Sequence, residues 1–190
     1  VFEPSRLFSD SQLAPFSFSL DKFTAAYQPN GEPSSFSARI HYRTSPSAVS
    51  KPYDIRVNHP LDIDGAKVFL VGHGYSLRIS VTNAAGRTVY DGDTPFLPDD
   101  SLFTSHGVVK IPDLGSGKQL GLTGFFYPTA GVGPTGSVTS IYPAPDRPVL
   151  SLAAWSGDLG MNTGVPQSVY SLNVAALKNI GVTQLTPGKS

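Results

Sequence analysis

Four histidines are the side chains of this sequence that titrate near neutral pH, so acid–base, metal or haem chemistry would fall to them first. His73 stands between Gly72 and Gly74, and Tyr75 follows directly. Glycine neighbours leave the imidazole without adjacent bulk and let the backbone take unusual angles. We therefore predict His73 and Tyr75 as the candidate cofactor-binding pair. A β-bulge or a turn at His73 would explain the same pattern without any ligand.

The other three histidines indicate ordinary surface positions. His41 lies on the polar face of a predicted strand, His59 precedes Pro60 at a strand end, and His106 has the neighbours of a loop residue. The four rings show no spacing typical of a metal site. We predict neither a metal ion nor a catalytic residue in this chain.

Other catalytic and binding motifs are missing from the sequence. It has no G-x-S-x-G nucleophile turn, no phosphate-binding glycine loop and no cysteine. Acidic clusters lack the complete calcium loop and are explained more simply by Asp-Gly turns; they lie at 62–65, 91–93 and 99–100. The aromatic run Phe125–Tyr127 fits either a docking surface or a core. The sequence does not predict an enzyme that acts alone.

Charge and composition narrow the class of protein. The chain has 14 basic and 14 acidic residues, with no basic block, so nucleic-acid binding is not expected. Its 19 glycines and 17 prolines, with 15% charged residues, indicate short strands and tight turns rather than long helices. We predict an all-β protein.

Alternating apolar and polar residues mark the strands. Residues 36–42 and 77–82 show the period of two clearly, and Asn83–Gly86 suits a hairpin turn after the second of them. One short helix is predicted at 174–180, with Asn173 and Gly181 as its caps. With about nine or ten strands, we expect an antiparallel two-sheet sandwich or an open barrel. The remaining candidate strands are 16–20, extended towards 27, then 53–57, 67–71, 88–90, 107–111, 119–127, 137–142, 149–154 and 168–172.

Length and apolar runs bear on domain organisation. With 190 residues we expect a single domain over 1–190, with an ordered core at roughly 12–182, and the length also leaves room for a second small lobe. The apolar runs fall short of the roughly 20 residues that cross a bilayer. The chain begins with Val and shows no signal segment, so we expect a segment of a longer protein whose membrane anchors lie elsewhere.

One stretch resembles the soluble domain of the ResB family of cytochrome c biogenesis proteins, in a form most similar to actinobacterial members. The stretch is Ile55-Arg56-Val57-Asn58-His59-Pro60-Leu61, followed by Gly65, Val68-Phe69-Leu70 and Gly72-His73-Gly74-Tyr75. Weaker similarity on both sides extends over roughly residues 12–182.

The resemblance implies a function that the residues alone do not. ResB-like proteins are integral to the cytoplasmic membrane, and this domain would lie on its outer face between flanking helices absent from this chain. They work with a ResC-like partner in system II, which presents haem to apocytochrome c. The family's ResB haem ligands lie in a transmembrane helix, so the resemblance transfers none to His73. Haem would be handled by the whole complex, with no cofactor expected on this chain alone.

Three interpretations stay open. The first is a non-catalytic extracytoplasmic domain that assists haem delivery and attachment. The second is a haem-binding module with His73 and Tyr75 in the pocket. The third is a generic cell-surface β-sandwich, because fold does not dictate function.

Overall fold

The computed structural model describes residues 15–115, 117–162 and 168–186. They form strands and turns, with no helix in these ranges, so the all-β prediction is confirmed. The chain divides into two compact units: the first ends at Gly72 and the second begins at His73. The single-domain assignment stays a prediction, and residues 12–14, 116 and 163–167 of the predicted ordered core lie outside the described residues.

The first unit is built on a three-stranded antiparallel sheet. Its strands are β1 (Ser17–Tyr27), β2 (Pro33–Arg43) and β3 (Lys51–Arg56), in that order, and a hairpin of β4 (Leu61–Ile63) and β5 (Ala66–Val68) follows. The predicted alternation in β2 is present, since Ala38 and Ile40 are buried while Arg39 and His41 are exposed. The core of this unit is Ala38, Ile40, Ile55, Leu61 and Ile63.

The stretch that carries the family resemblance has a structural role in this unit. Arg56 and His59 exchange two backbone hydrogen bonds across a tight turn in which Asn58 has a φ of 61°. Asp64 and Gly65 have φ values of 49° and 80°, the pattern of a type I′ hairpin turn. These residues therefore set the path of the chain between β3, β4 and β5.

The second unit is dominated by a six-stranded antiparallel sheet that curls into a half-barrel. Its order is β13-β12-β9-β8-β7-β6, while β10 and β11 form a separate hairpin. The strands are β6 (Tyr75–Thr82), β7 (Thr88–Pro98), β8 (Ser105–Ile111), β9 (Leu120–Tyr127), β10 (Thr129–Val132), β11 (Val138–Tyr142), β12 (Val149–Ser156) and β13 (Lys178–Leu185).

Strand β8 shows how the sheet divides into two faces. Every second residue of β8 is buried, and the residues between are partly exposed. The buried residues are Ser105, Gly107, Val109 and Ile111. The buried face, called the inner face here, carries the core of the unit, whereas the opposite face is the outer face. The core consists of Ile79, Phe96, Val109, Ile111, Leu120, Phe126, Leu150 and Leu152.

The predicted helix at 174–180 is wrong. Residues 175–177 form a turn, and Lys178–Leu185 is strand β13, paired with β12 from Leu150 to Ser156. A helix of at most two turns is marginal on its own, while pairing with β13 satisfies the backbone of β12 from Leu150 to Ser156.

Several strand boundaries differ from the predicted ones. Strands β4 and β10 were not predicted, 168–172 is not a strand, and β7 runs to Pro98 instead of ending at 90. Asp91 and Asp93 therefore lie within β7 rather than in a turn. Arg78 on β6 lies 2.9 Å from the Asp91 carboxylate and 3.9 Å from that of Asp93, so the acidic pair faces a cross-strand cation.

Candidate functional site

The predicted pair His73 and Tyr75 lies at the start of β6, in an aromatic cluster. The His73 ring is 4.5 Å from the Phe103 ring and tilted by 32°, while Tyr75 meets Phe103 edge-on at 6.0 Å. Tyr75 also meets the buried ring of Phe126 at 5.0 Å. The structure thus brings the two predicted residues together on a shared partner, Phe103.

The Tyr75 hydroxyl has a structural bond. It donates to the backbone carbonyl of Pro143 at 2.5 Å, which ties the start of β6 to the chain just after β11. A phenol would have to lose this hydrogen to bind a metal as phenolate. Tyr75 is therefore better placed to position the cluster than to act as a ligand.

A tight loop between β7 and β8 holds Phe103 in place. The Asp100 carboxylate accepts hydrogen bonds from the backbone N–H groups of Leu102 at 2.9 Å and Thr104 at 3.0 Å. Phe103 has a φ of 61°, which costs a residue with a side chain about 1–2 kcal/mol. The Ser105 hydroxyl donates to the Phe103 carbonyl at 2.8 Å. These bonds offset that cost and fix the ring beside His73.

Burial lowers the pKa of His73 below its ordinary value of 6.5. The uncharged imidazole, which offers a nitrogen lone pair, is therefore favoured at neutral pH. An uncharged ring also suits the packing of His73 against the Phe103 ring. The role of His73 and Tyr75 in cofactor binding stays a prediction.

Acid is expected to destabilise the chain partly through His73. Because the folded pKa lies below the unfolded value near 6.5, the unfolded state takes up the proton first as the pH falls. This contribution to stability is complete above about pH 6.5 and is lost progressively below it. Urea titrations of the chain and of His73→Gln at pH 7.5 and 5.5 measure it. We expect the substituted chain to lose less stability on acidification; an equal loss would contradict the assignment.

The other three histidines occupy different surroundings. His41 is exposed on β2 and is hydrogen-bonded through Nδ1 to Asp21, in agreement with a surface position. His59 is exposed at the turn after β3, as predicted. His106 was predicted as a loop residue, but it lies in β8. Its Nδ1 is 2.6 Å from Oδ1 of Asp99.

A groove of about 500 Å³ crosses the outer face of the six-stranded sheet. His106, Val108 and Ala153 line it, together with two aromatic rings that are nearly half exposed, Phe125 and Tyr170. His106 is paired with Phe125 across β8 and β9, and Ala153 belongs to β12. Sequence reasoning missed this groove. The signal available in the sequence was the position of His106 between Ser105 and Gly107. In a strand, neighbouring side chains face opposite sides, so the His106 ring faces away from the buried side of β8.

Tyr170 reaches the groove on a segment that contains no strand. The Lys110 ammonium donates to the carbonyl of Ser168 at 2.8 Å, which attaches this segment to β8. Leu172 lies over Gly121, where a Cβ would come within 2.4 Å of the leucine side chain. The hydrogen bond from Lys110 to Ser168 and the packing of Leu172 on Gly121 therefore hold Tyr170, which lies between them, beside the outer face.

The described ranges contain no group of three or more metal-ligating His, Asp or Glu side chains. Within those same ranges, no helix combines the length and hydrophobicity needed to span a membrane.

Comparison with known proteins identifies the family. The model of the ResB-like family matches residues 1–189, which is almost the whole chain. The chain belongs to the ResB-like family. No curated protein and no solved structure matches it significantly.

Membership bears directly on function. ResB-like proteins are components of cytochrome c biogenesis, are not known as enzymes and are usually associated with membranes. The ResB-like chain described here fits a role in that process. The residues that carry the family resemblance lie in the first unit as far as Gly72 and in the second from His73 to Tyr75, whereas the groove lined by His106 lies in the second unit alone.

Proposed function

We propose that this ResB-like chain is a non-catalytic extracytoplasmic domain that assists haem delivery and haem attachment to apocytochrome c together with a ResC-like membrane partner. The observation that carries the proposal is the family match over residues 1–189. In this proposal the domain lies at the outer face of the cytoplasmic membrane, and membrane helices outside this chain anchor it.

The exposed edge of the half-barrel supports contact with an extended polypeptide such as apocytochrome c. All eight residues of β13 are exposed, and among the described residues this strand pairs with β12 alone. An edge strand with accessible backbone groups can accept another strand by hydrogen bonding. Ile180 and Val182, which are 54% and 70% exposed, would add apolar contacts.

Loss of covalent haem is the expected result of removing this domain. In the host organism, residues 1–190 would be deleted in frame from the parent gene, and c-type cytochromes would be detected by haem staining after denaturing electrophoresis. We expect the stain to disappear while apocytochrome polypeptide and b-type cytochromes persist. Restoring the intact gene is the control. Normal staining in the deletion strain, with the parent protein still made, would overturn the proposal.

A second candidate, a haem-binding module that uses His73, draws on one observation. Burial lowers the pKa of His73 and so favours the neutral ring beside the Phe103 and Tyr75 side chains. An imidazole in aromatic surroundings is a common axial ligand of haem iron. A hemin titration in which His73→Ala abolishes the spectral change of the chain would support this candidate, and an unchanged titration would remove it.

A further inference from the structure

We propose that the outer-face groove holds haem, with Nε2 of His106 as an axial ligand of the iron. This inference rests on the proposed function and names the place on the chain where haem would be held. It assigns the role of ligand to His106 instead of His73.

The imidazole of His106 is oriented by a carboxylate. Nδ1 lies 2.6 Å from Oδ1 of Asp99, and in the tautomer with hydrogen on Nδ1 this nitrogen donates to the carboxylate. Nε2 then carries the lone pair. Histidines that bind metals are held in this way, since the second nitrogen fixes the tautomer and the ring orientation and raises the basicity of the ligand.

Asp99 is itself held at the start of the loop between β7 and β8. Its backbone N–H donates to the carbonyl of Thr104 at 2.7 Å, so the carboxylate and the ring are attached to the two sides of one tight loop. His106 is further fixed by its place in β8, where it pairs with Leu97 on β7 and Phe125 on β9. The ligand therefore rests on a rigid sheet.

The groove has the size and the chemistry for a flat, largely apolar ligand. Its volume of about 500 Å³ falls in the range of small-molecule sites. Phe125 and Tyr170 provide aromatic surfaces, and the small residues Gly124, Ser151 and Ala153 take up little space in the lining.

These features favour haem over an organic ligand without metal. His106 lines one side of the groove, and its Nε2 lone pair is available to a ligand. A purely apolar ligand would not use this lone pair, whereas the iron of haem would. Coordination forms one bond from Nε2 to iron and displaces whatever occupied that position, with no electron transfer and no covalent link to the porphyrin. Reversible binding of this kind suits a protein that passes haem on.

Hemin titration of the 190-residue chain, followed by absorption in the Soret region, tests the assignment. We expect saturable binding to the unsubstituted chain with an imidazole-ligated spectrum. His106→Ala should lose that spectrum and bind hemin at least about 10-fold more weakly. Asp99→Asn should keep the ligand and weaken binding by about 10-fold to 100-fold, the range for lost carboxylate support. His41→Ala is the matched control, because it removes an exposed histidine that is also hydrogen-bonded to an aspartate, Asp21, and it should behave like the unsubstituted chain. His73→Ala is titrated beside it, because the second candidate function predicts that this substitution, and not His106→Ala, removes the spectrum.

Two further measurements separate ligation from folding. Metal-free protoporphyrin IX should bind the unsubstituted chain and His106→Ala equally, because it offers no iron to the imidazole. Free imidazole added to hemin-loaded His106→Ala should restore the ligated spectrum. If His106→Ala unfolds, as judged by circular dichroism, His106→Gln replaces it, since the amide can still reach the Asp99 carboxylate.

Several outcomes would overturn the inference. They are no hemin binding by the unsubstituted chain, an imidazole-ligated spectrum that survives in His106→Ala, or its loss in His73→Ala instead. If any of these occurs while deletion of the domain still abolishes haem staining, the inference fails and the proposed function stands. If staining survives the deletion, the proposed function itself fails.

Discussion

Replacing Phe96 with Ala is expected to lower the free energy of unfolding of the second unit by about 3–5 kcal/mol, the cost of removing a buried phenylalanine ring. Phe96 is 1% exposed, and its ring lies 6.3 Å from that of Phe126 at an angle of 67°. Gly107 leaves space for it, because a Cβ there would come within 2.7 Å of three ring carbons. The alanine would leave a cavity that this close packing cannot refill.

Phe125→Ala serves as the control for that substitution. It removes the same ring from the same sheet, but Phe125 is 46% exposed on the outer face. We expect a loss well below that of Phe96→Ala, because little apolar area returns to water. Urea titration followed by fluorescence of Trp155, on β12 of the same sheet, measures both. Equal losses would show that the inner face is not the core.

Replacing Gly124 with Ala should also destabilise the second unit, by about 1–3 kcal/mol, the usual cost of overpacking. An alanine Cβ would lie 1.9 Å from the Ser151 carbonyl oxygen and 2.9 Å from the Cα of Leu152. Both are backbone atoms, so β9 and β12 would have to move apart. Alanine would recover roughly 0.5–1 kcal/mol of glycine's conformational entropy, which is less than the cost of the clash.

Gly72→Ala is the matched substitution in open space. No atom lies within 4 Å of the position of its Cβ, and a change of stability within about 0.5 kcal/mol is expected. Thermal unfolding of the two variants, recorded side by side, gives the comparison. A Gly124→Ala chain as stable as Gly72→Ala would mean that β9 and β12 are further apart than described.

Local features of the fold could be predicted from the sequence because neighbouring residues determine them. The hairpin between β6 and β7 is one such case: the Asn83 side chain accepts from the backbone N–H groups of Ala85 and Arg87, each at 3.0 Å. The alternation in β2 and β8 likewise follows from the sequence itself. Strand β13 could not be found in this way, because the strand at Lys178–Leu185 depends on pairing with β12, more than 20 residues earlier.

The candidate site shows the same limit. His73 and Tyr75 could be singled out together because only Gly74 separates them, but their common partner Phe103 lies on a loop about 30 residues later. The groove at His106 combines β8, β9, β12 and the segment around Tyr170. The carboxylate that orients the His106 ring is near it in sequence, at Asp99, but a single Asp seven residues before a His carries no recognisable signal.

The division of roles within the chain follows from these placements. In the first unit, the residues that carry the family resemblance build turns and a core, with Asn58, Asp64 and Gly65 at positive φ. The second unit provides the groove and the exposed edge strand. We therefore expect substitutions at the turns to act through folding, and substitutions at His106 to act through haem.

The claim that this chain handles haem on the outer face of its half-barrel is tested most directly by hydrogen–deuterium exchange with and without hemin. Our account predicts that hemin slows exchange in the segment at 168–172, which borders the groove and contains no strand, and leaves the segment at 72–75 that carries His73 unchanged. Slower exchange confined to 72–75, or no change in either segment under saturating hemin, would contradict it.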